Sequence, residues 1–383
     1  MSRYLSFFLL AVALLAFGLY RYLADPETPA ATTSAASALG GGETEGYARA
    51  DAPRPFVFPD DHGPHPDFRT EWWYVTGNLA DSQGRRFGYQ LTLFRIAISP
   101  ALPAADSAWR THQIYMGHFA VTDVAAERHY GFERFSRAAV GLAGAQASPF
   151  RVWLEDWSLA GTPQDAFPMH VQARQDGVGI KLTLKTAKPP VLQGESGLSQ
   201  KSAEPGNASY YYSCTRLPTQ GVVTVGEERF EVSGASWLDR EWSTSALGPE
   251  QSGWDWFALQ LDDGRDLMLY RLRRRDGGVD PHSSGVLVSR DGDAQRLRSE
   301  DMAFEILATW TSPHTGDVYP ARWRLRLPAE DMELTVTPRI ADQEMQVQVR
   351  YWEGTVAVTG RAGSEAVSGQ GYMEMTRYES APD

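Results

Sequence analysis

Carboxylates and aromatic side chains lie close together in two short segments of this sequence, and that pattern could support acid chemistry in an apolar setting. In a β-strand, alternate residues share a face, so Asp239 and Glu241 project together, as do Trp254 and Trp256. A carboxylic acid that burial keeps protonated can donate a proton to carbon. Dry aromatic faces stabilise the resulting cation by about 1–2 kcal/mol each. These residues, with Tyr270 as a third element, are candidates for acid chemistry on an apolar molecule.

The same residues also have an ordinary structural interpretation. Tryptophans in β-barrels commonly fill the core or plug an end of the barrel. Asp239 and Glu241 could pair with Arg240, Arg265 or Arg271 rather than face a ligand. Both interpretations are open at this point.

Motifs for several common chemistries are absent from the sequence. It contains no G-x-S-x-G elbow, P-loop, G-x-G-x-x-G fingerprint, H-E-x-x-H or C-x-x-C motif, although a catalytic triad assembled from distant residues stays possible. His62-Gly63-Pro64-His65 places two imidazoles close to Asp60, Asp61 and Asp67, but Gly and Pro indicate a turn. We therefore expect no metal ion and no cofactor. The single cysteine, Cys214, excludes an intrachain disulfide.

Composition limits the class of partner. The chain of 383 residues has a formal charge of -12, which argues against nucleic acid because phosphate binding needs clustered Lys and Arg. Its 12 Trp, 16 Tyr and 16 Phe supply the large apolar surfaces that line pockets for apolar small molecules.

The N-terminal residues predict export. Arg3 precedes an apolar run over residues 4–20, which is long for a cleaved signal and short for a membrane span. Residues 1–24 are thus a signal or a membrane anchor, and the lack of a small-x-small site nearby favours the anchor. Residues 25–55, rich in Ala, Thr, Ser, Gly and Pro, predict a flexible linker. We expect the globular part to lie outside the cytoplasm, periplasmic or tethered to the membrane.

After the linker, the hydrophobic period changes to two. Alternation around residues 87–93, 180–184, 323–327 and 347–351 predicts antiparallel strands separated by Asp- and Gly-rich turns. Glu71-Trp72-Trp73-Tyr74 and Gly253-Trp254-Asp255-Trp256-Phe257 each precede a polar turn and another apolar strand, which suggests two related halves. We predict an all-β fold of two tandem antiparallel barrels, over residues 56–245 and 246–383, with interiors apolar enough to hold a nonpolar guest.

Several blocks resemble the carotenoid 1,2-hydratase and AttH-like proteins, which are often called predicted secreted hydrolases. They span about residues 56–378 and comprise Phe58–His65, Glu71–Leu79, Tyr210–Ser213, Gly234–Asp239, Gly253–Leu261, Leu269–Leu272, Tyr351–Gly354 and Gly369–Glu374. The resemblance implies two lipocalin-like barrels with an apolar cavity at or near their junction. It also implies a site, for which we take Asp239, Glu241, Trp242, Asp255 and Tyr270 as catalytic and Glu71, Trp72, Trp73, Tyr74, Tyr211, Trp254 and Trp256 as ligand-binding.

Two positions depart from the hydratase pattern. Arg240 stands where the hydratases have a His, and Leu272 stands where they have an Asp, while Trp242 and Tyr270 are retained. Leu272 removes the most obvious proton donor, and no neighbouring acid occupies the same register, since a shift of one residue changes the face of the sheet.

Three functions compete. One is an enzyme that adds water to an isoprenoid or lipid-like molecule. A second is a non-catalytic carrier of an apolar ligand that works with ABC-transporter components. A third is a secreted hydrolase, which the missing nucleophile motif disfavours.

Overall fold

A computed structural model describes residues 33–34, 44–104, 106–244, 247–376 and 378. The predicted anchor (1–24) and most of the predicted linker (25–55) lie outside these residues. The described end of the linker, residues 44–55, has no regular secondary structure and runs along the first sheet, where the Tyr210 hydroxyl donates to the Ala52 carbonyl oxygen at 2.8 Å. Within the described ranges, no helix is long and apolar enough to cross a membrane.

The described chain forms two curled sheets and three single-turn 3₁₀ helices, Asp60–His62, Ser299–Asp301 and Pro328–Glu330. The first sheet contains β2 (Thr70–Asp81), β3 (Arg86–Ala97), β4 (Gln113–Asp123), β5 (Arg128–Arg137), β6 (Ala143–Gln146), β7 (Arg151–Leu154), β8 (Trp157–Ala160), β9 (Met169–Gln175), β10 (Val178–Leu184), β11 (Val191–Leu192), β12 (Leu198–Gln200), β13 (Ala208–Val225) and β14 (Glu228–Ser243). The second contains β1 (Thr33–Ser34), β15 (Gln251–Leu261), β16 (Asp266–Arg274), β17 (Ser284–Val288), β18 (Ala294–Arg298), β19 (Ala303–Thr311), β20 (Val318–Leu327), β21 (Met332–Pro338), β22 (Glu344–Met345), β23 (Val349–Ala362) and β24 (Glu365–Thr376).

The first sheet is a nearly closed barrel. Its strand order is β5-β4-β3-β2-β14-β13-β10-β9-β8-β7-β6, and β5 curls back towards the far end of the sheet. There Arg134 of β5 donates to the Gln175 side chain at 2.8 Å and pairs with Asp156. Fully buried side chains, including Trp73 and Trp157, fill the interior. The interior of the first barrel is thus apolar, as predicted, and is packed with its own side chains.

The second sheet is a half-barrel with the order β18-β17-β16-β15-β24-β23-β21-β20-β19. Phe257, Trp323 and Trp352 are buried on its concave side. The prediction of an all-β fold with two curled antiparallel sheets is confirmed, and the second barrel is open along one side.

The predicted turns join neighbouring strands. Residues 262–265 connect β15 to β16, and Gly264 has φ 93°, a left-handed conformation that glycine adopts without a steric penalty. Residues 82–85 connect β2 to β3, and Gly84 there has φ 83°. The two segments that echo each other in sequence, β2 and β15, both lie inside their sheets, each between two other strands.

The two sheets pack face to face. The Asn78 side-chain amide donates to the Gly371 carbonyl oxygen at 2.9 Å, and the Gln260 amide donates to the Thr215 carbonyl oxygen at 2.7 Å. Gly88 permits this close approach, since a Cβ atom there would lie 2.7 Å from the Cβ of Thr355. Aromatic side chains from both sheets fill most of the space between them, and part of that space is a cavity.

Candidate functional site

A cavity of about 150 Å³ lies between the two sheets. Its surface is mostly apolar and aromatic, and both sheets contribute to it. The lining residues are Thr70, Trp72, Tyr74, Thr92, Phe94, Met116, His118, Lys201, Ser209, Tyr211, Asp239, Glu241, Ser243, Leu247, Trp254, Trp256, Tyr270, Leu272, Val349, Tyr351 and Glu374. The void therefore sits beside the tryptophan and acid pairs that the sequence singled out, and outside the barrel interiors.

Strand alternation divides the twelve predicted site residues into two groups. Eight of them line the cavity, namely Trp72, Tyr74, Tyr211, Asp239, Glu241, Trp254, Trp256 and Tyr270. The other four do not reach it: Glu71, Trp73, Trp242 and Asp255. Each of these four lies next in sequence to a lining residue and so projects from the opposite face of its strand, away from the cavity.

Glu71, Trp73 and Trp242 belong instead to a buried charged cluster inside the first barrel. Glu71 is fully buried and forms ion pairs with Arg95 and Arg240. Although burial alone would raise the pKa of Glu71, these two guanidinium groups hold it well below its ordinary value. The Arg240 guanidinium lies 3.8 Å from the ring centroid of Trp73 and 5.2 Å from that of Trp242. Arg240 thus supports the barrel core and does not face the cavity.

Asp255 lies on the concave side of the second sheet. It forms an ion pair with Arg271 at 2.9 Å, and the Tyr378 hydroxyl donates to it at 2.7 Å. Arg265, the third arginine considered as a partner for the site acids, forms an ion pair with Asp263. Asp239 and Glu241 are therefore not neutralised by the arginines that lie near them in sequence.

Asp239 is a buried acid held by three hydrogen-bond donors. They are the hydroxyls of Tyr211 and Ser213, each at 2.5 Å, and the indole N–H of Trp237 at 2.6 Å. Burial raises the pKa of Asp239 to about 7, against the lowering effect of these hydrogen bonds. The carboxyl group therefore carries its proton in a large fraction of molecules near neutral pH.

Glu374 is a second acid in the cavity wall, half-buried, and the sequence analysis missed it. The indole N–H of Trp254 donates to its carboxylate at 2.6 Å. Burial, together with the charges of Asp239 and Glu241, raises the pKa of Glu374 to about 7 against the lowering effect of the Trp254 hydrogen bond. No acid stands at the register of Leu272, but Glu374 comes from β24, on the other side of β15 from Leu272, and faces the same cavity.

Two signals could have revealed Glu374. It closes the block Gly369–Glu374, which carried part of the family resemblance, and it shares a strand face with Tyr372. Its position opposite Trp256, however, depends on the pairing of β24 with β15, two strands more than a hundred residues apart in sequence.

Lys201 and Glu241 form an ion pair in the cavity wall, with 3.0 Å between Nζ and Oε1. Burial alone would lower the pKa of Lys201, but the carboxylate of Glu241 raises it above its ordinary value. Lys201 is therefore charged at neutral pH. It follows β12 in a loop, where no sequence pattern marked it.

A hydrogen-bonded chain of side chains forms another part of the wall. The Tyr74 hydroxyl donates to Glu353, whose pKa burial raises well above its ordinary value. Nearby, the Tyr351 hydroxyl bonds to His118 Nδ1 at 2.7 Å, and His118 Nε2 lies 3.0 Å from Glu133. These contacts join the two sheets and place an imidazole at the cavity surface.

The two histidines near Asp60 and Asp61, and the single cysteine, pack against other side chains of the protein. Among the described residues, no group of three or more His, Cys, Asp or Glu side chains is arranged to hold a metal ion. His62 bonds to the Tyr212 hydroxyl at 2.6 Å, while the His65 ring stacks on Trp242 with centroids 3.7 Å apart. Cys214 is buried, which raises the pKa of its thiol to about 12.

Comparisons with known proteins identify the family of this chain and show proteins with a similar fold. The AttH-like family model matches residues 49–378. The crystal structure of a candidate AttH protein from Nitrosomonas europaea is similar, with 32% sequence identity and a TM-score of 0.74 over 85% of this chain and 99% of that chain. Kievitone hydratase from Nectria haematococca shares the fold at 14% identity, with a TM-score of 0.65 over 88% of this chain and 98% of that chain. No curated protein matches the chain. Because the family model covers most of its length, the chain belongs to the AttH-like family.

Proposed function

We propose that the protein binds an unsaturated isoprenoid or lipid-like molecule between its two sheets and adds water to a double bond. The observation that carries this proposal is the presence of two acids in one aromatic cavity, the buried Asp239 and the half-buried Glu374, both with a pKa of about 7. A buried acid that is protonated near neutral pH is the group that protonation of carbon requires.

The reaction needs a proton donor, a stabilised cation and a base. The carboxyl group of Asp239 or Glu374 gives its proton to one alkene carbon, and the other carbon becomes cationic. The new carboxylate and the rings of Trp254, Trp256 and Tyr211 stabilise that cation. The oxygen of water then bonds to the cationic carbon, and the proton that water loses returns to the carboxylate. Proton and charge are thus balanced within the cavity.

The cavity size restricts the substrate. A cavity of about 150 Å³ is comparable with one that holds a benzene-sized molecule. We therefore propose that a short isoprenoid segment with its double bond is enclosed, rather than a whole long polyene. The fold itself is compatible with water addition, since a hydratase shares it, but the proposal depends on the cavity residues of this chain.

A labelled-water assay tests the reaction. Purified protein is incubated in H₂¹⁸O with myrcene, geraniol, squalene and acyclic carotenoids, and the products are analysed by mass spectrometry. We expect one labelled hydroxyl per product, with the rate falling above about pH 7 as the acids ionise. Loss of a general acid in Asp239→Asn or Glu374→Gln lowers the rate about 10²–10⁴-fold, whereas Asp291→Asn in an exposed turn leaves it unchanged. If every compound in the panel is recovered unchanged, hydration is ruled out.

A carrier is the second candidate, and one observation favours it. Leu272 places an apolar side chain in the cavity wall where the hydratase pattern has an acid. As a carrier, the protein would bind an apolar molecule in the cavity and transfer it, without reaction, to or from ABC-transporter components. Solvent extraction of freshly purified protein, followed by mass spectrometry, should then yield a bound apolar molecule in near-stoichiometric amount. Repeated recovery of empty protein contradicts the carrier.

We also propose that the globular part acts outside the cytoplasm. The support is the apolar run over residues 4–20 and the small, polar composition of the linker. Fractionation of cells that express the full chain should place it in the periplasm or in the membrane fraction, with protease access from the periplasmic side. Recovery in the cytoplasmic fraction alone contradicts this location.

A further inference from the structure

The cavity wall has a polar end that an exclusively hydrocarbon ligand would leave unused. Lys201 Nζ lies 3.0 Å from Glu241 Oε1 and 3.1 Å from the Ser199 hydroxyl. Its ammonium also lies over two aromatic faces, 4.7 Å from the ring centroid of Tyr270 and 5.5 Å from that of Tyr211. Among the described residues that line the cavity, Lys201 is the one permanently charged cation.

This ion pair has hydrogen-bonding capacity to spare. An ammonium group has three N–H donors, and Ser199 and Glu241 account for two of those of Lys201. Both Lys201 and the Ser209 hydroxyl approach the same carboxylate oxygen of Glu241, Oε1. A charged donor that loses water on ligand binding without gaining a partner weakens binding, whereas a ligand oxygen placed there strengthens it.

The polar end lies on one side of the cavity, and an apolar end lies on the other. Lys201, Tyr211 and Tyr270 come from the β12–β13 region and β16. The acids Asp239 and Glu374 come from the middle strands β14 and β24. The apolar end comes from β3, β4 and β23, further along the two sheets in the opposite direction, and its one ionisable imidazole, His118, is hydrogen-bonded to Tyr351 and Glu133. Its side chains are Phe94, Met116 and Val349.

From this arrangement we infer that the ligand is amphipathic: it carries an oxygen function, preferably an anionic one, that binds Lys201, while its unsaturated hydrocarbon part lies between the central acids and reaches Phe94. This inference deepens the proposed function, because it assigns the substrate class of the same cavity. It also predicts the direction of binding, with the double bond held several atoms away from the oxygen function.

Binding measurements test the inference without requiring turnover. Three matched ten-carbon probes differ in their polar end: geranic acid has a carboxylate, geraniol has a hydroxyl, and myrcene has neither. Their dissociation constants for the full-length protein can be measured by calorimetry and by quenching of tryptophan fluorescence. We expect geranic acid to bind tightest and myrcene weakest, with about a tenfold to hundredfold difference between them.

Two cavity variants should change geranic acid binding in opposite directions. Lys201→Met removes the cation and weakens geranic acid binding about tenfold or more, with little effect on myrcene. Glu241→Gln leaves the cation without its carboxylate partner and strengthens geranic acid binding. Loss of folding cannot produce effects of opposite sign. Lys181→Met, at an exposed position on β10, is the matched control and should leave all three constants unchanged.

The outcomes separate this inference from the proposed reaction. Equal affinities for the three probes, or an equal loss of all three in Lys201→Met, overturns the inference, and hydration of myrcene would then still support water addition. Tight, Lys201-dependent binding of geranic acid with no labelled product supports the inference and contradicts hydration. Failure of all three probes to bind overturns both.

Discussion

The protonation of Asp239 links the chemistry of the cavity to the stability of the protein at the scale of single residues. Burial raises its pKa from 3.8 to about 7, so the folded protein retains a proton that the unfolded chain has released between these two values. Because the folded state binds the extra proton, the free energy of unfolding decreases as pH rises through this window. The acid that suits proton donation is therefore an acid that destabilises the fold at higher pH.

Asp239→Asn should remove this pH dependence. Asparagine resembles the protonated acid. At pH 8 we therefore expect the free energy of unfolding of the variant to exceed that of the natural protein by about 1–4 kcal/mol, so that the variant unfolds at a higher urea concentration. The difference should vanish near pH 4, where Asp239 is protonated in the folded state. Urea titrations at several pH values measure it, with Asp291→Asn as the exposed control. An unchanged difference at pH 4 and pH 8 would show that Asp239 does not titrate in this window.

Glu374 titrates in the same range and supplies an internal comparison. Glu374→Gln should show a gain in stability with the same sign and the same pH window. In a variant that carries both changes, the gain should be smaller than the sum of the two single gains, because the charge of Asp239 contributes to the raised pKa of Glu374. Strict additivity in the same urea titrations would contradict this coupling.

At the scale of the strands, alternation predicted which residues share a face but not what that face meets. Asp239 with Glu241, and Trp254 with Trp256, do project together into the cavity. The opposite faces of these strands are also apolar and aromatic, as Trp242 shows. A period of two therefore could not distinguish the packed barrel interior from the cavity wall, which explains the four site residues that project away from the cavity.

The residues that sequence analysis missed depend on distant pairings. His118 meets Tyr351 across 233 positions in sequence, and Lys201 reaches Glu241 from a loop. Such pairings are fixed by the packing of one sheet on the other, which local patterns do not encode. The fold class, the turns and the two-part organisation were predictable because alternation and turn residues are local signals.

Gly88 on β3 offers a test of sheet packing at this scale. A side chain there would collide with Thr355 on β23, so Gly88→Ala should destabilise the protein by about 1–3 kcal/mol and alter ligand binding. Gly278→Ala, at an exposed turn where the nearest atom belongs to the flexible Asp276 side chain, should change stability by less than about 0.5 kcal/mol. Thermal unfolding compares the two variants. Equal effects would show that the sheets do not approach as closely as described.

At the scale of the whole molecule, a buried ionic cluster joins the two sheets. Asp266 of β16 is fully buried and accepts hydrogen bonds from Lys188 at 2.8 Å, Thr215 at 2.9 Å and Arg216 at 2.6 Å, all from the first sheet region. Burying these charges costs desolvation energy, which the matched partners offset. The cluster therefore opposes separation of the two sheets.

Asp266→Ala should leave two cations without their buried partner and destabilise the protein by about 3–5 kcal/mol. We expect the natural protein to unfold in one transition and the variant to unfold at lower temperature, with the two sheets separating before either one unfolds. Calorimetry combined with tryptophan fluorescence detects a separate early transition. Asp276→Asn, at an exposed surface pair with Arg274, should change stability little. A small effect of Asp266→Ala would show that the cluster does not hold the sheets together.

The division of the cavity walls between two sheets has a kinetic consequence. Neither sheet encloses a ligand by itself, so a bound molecule contacts both sheets and stabilises their association. Exchange of the guest then depends on how often the halves part, and its residence time should follow the opening rate of the interface more closely than the guest's own hydrophobicity. Evolution could accordingly lengthen or shorten retention by substitutions at Gly88 or Asp266, neither of which lines the cavity.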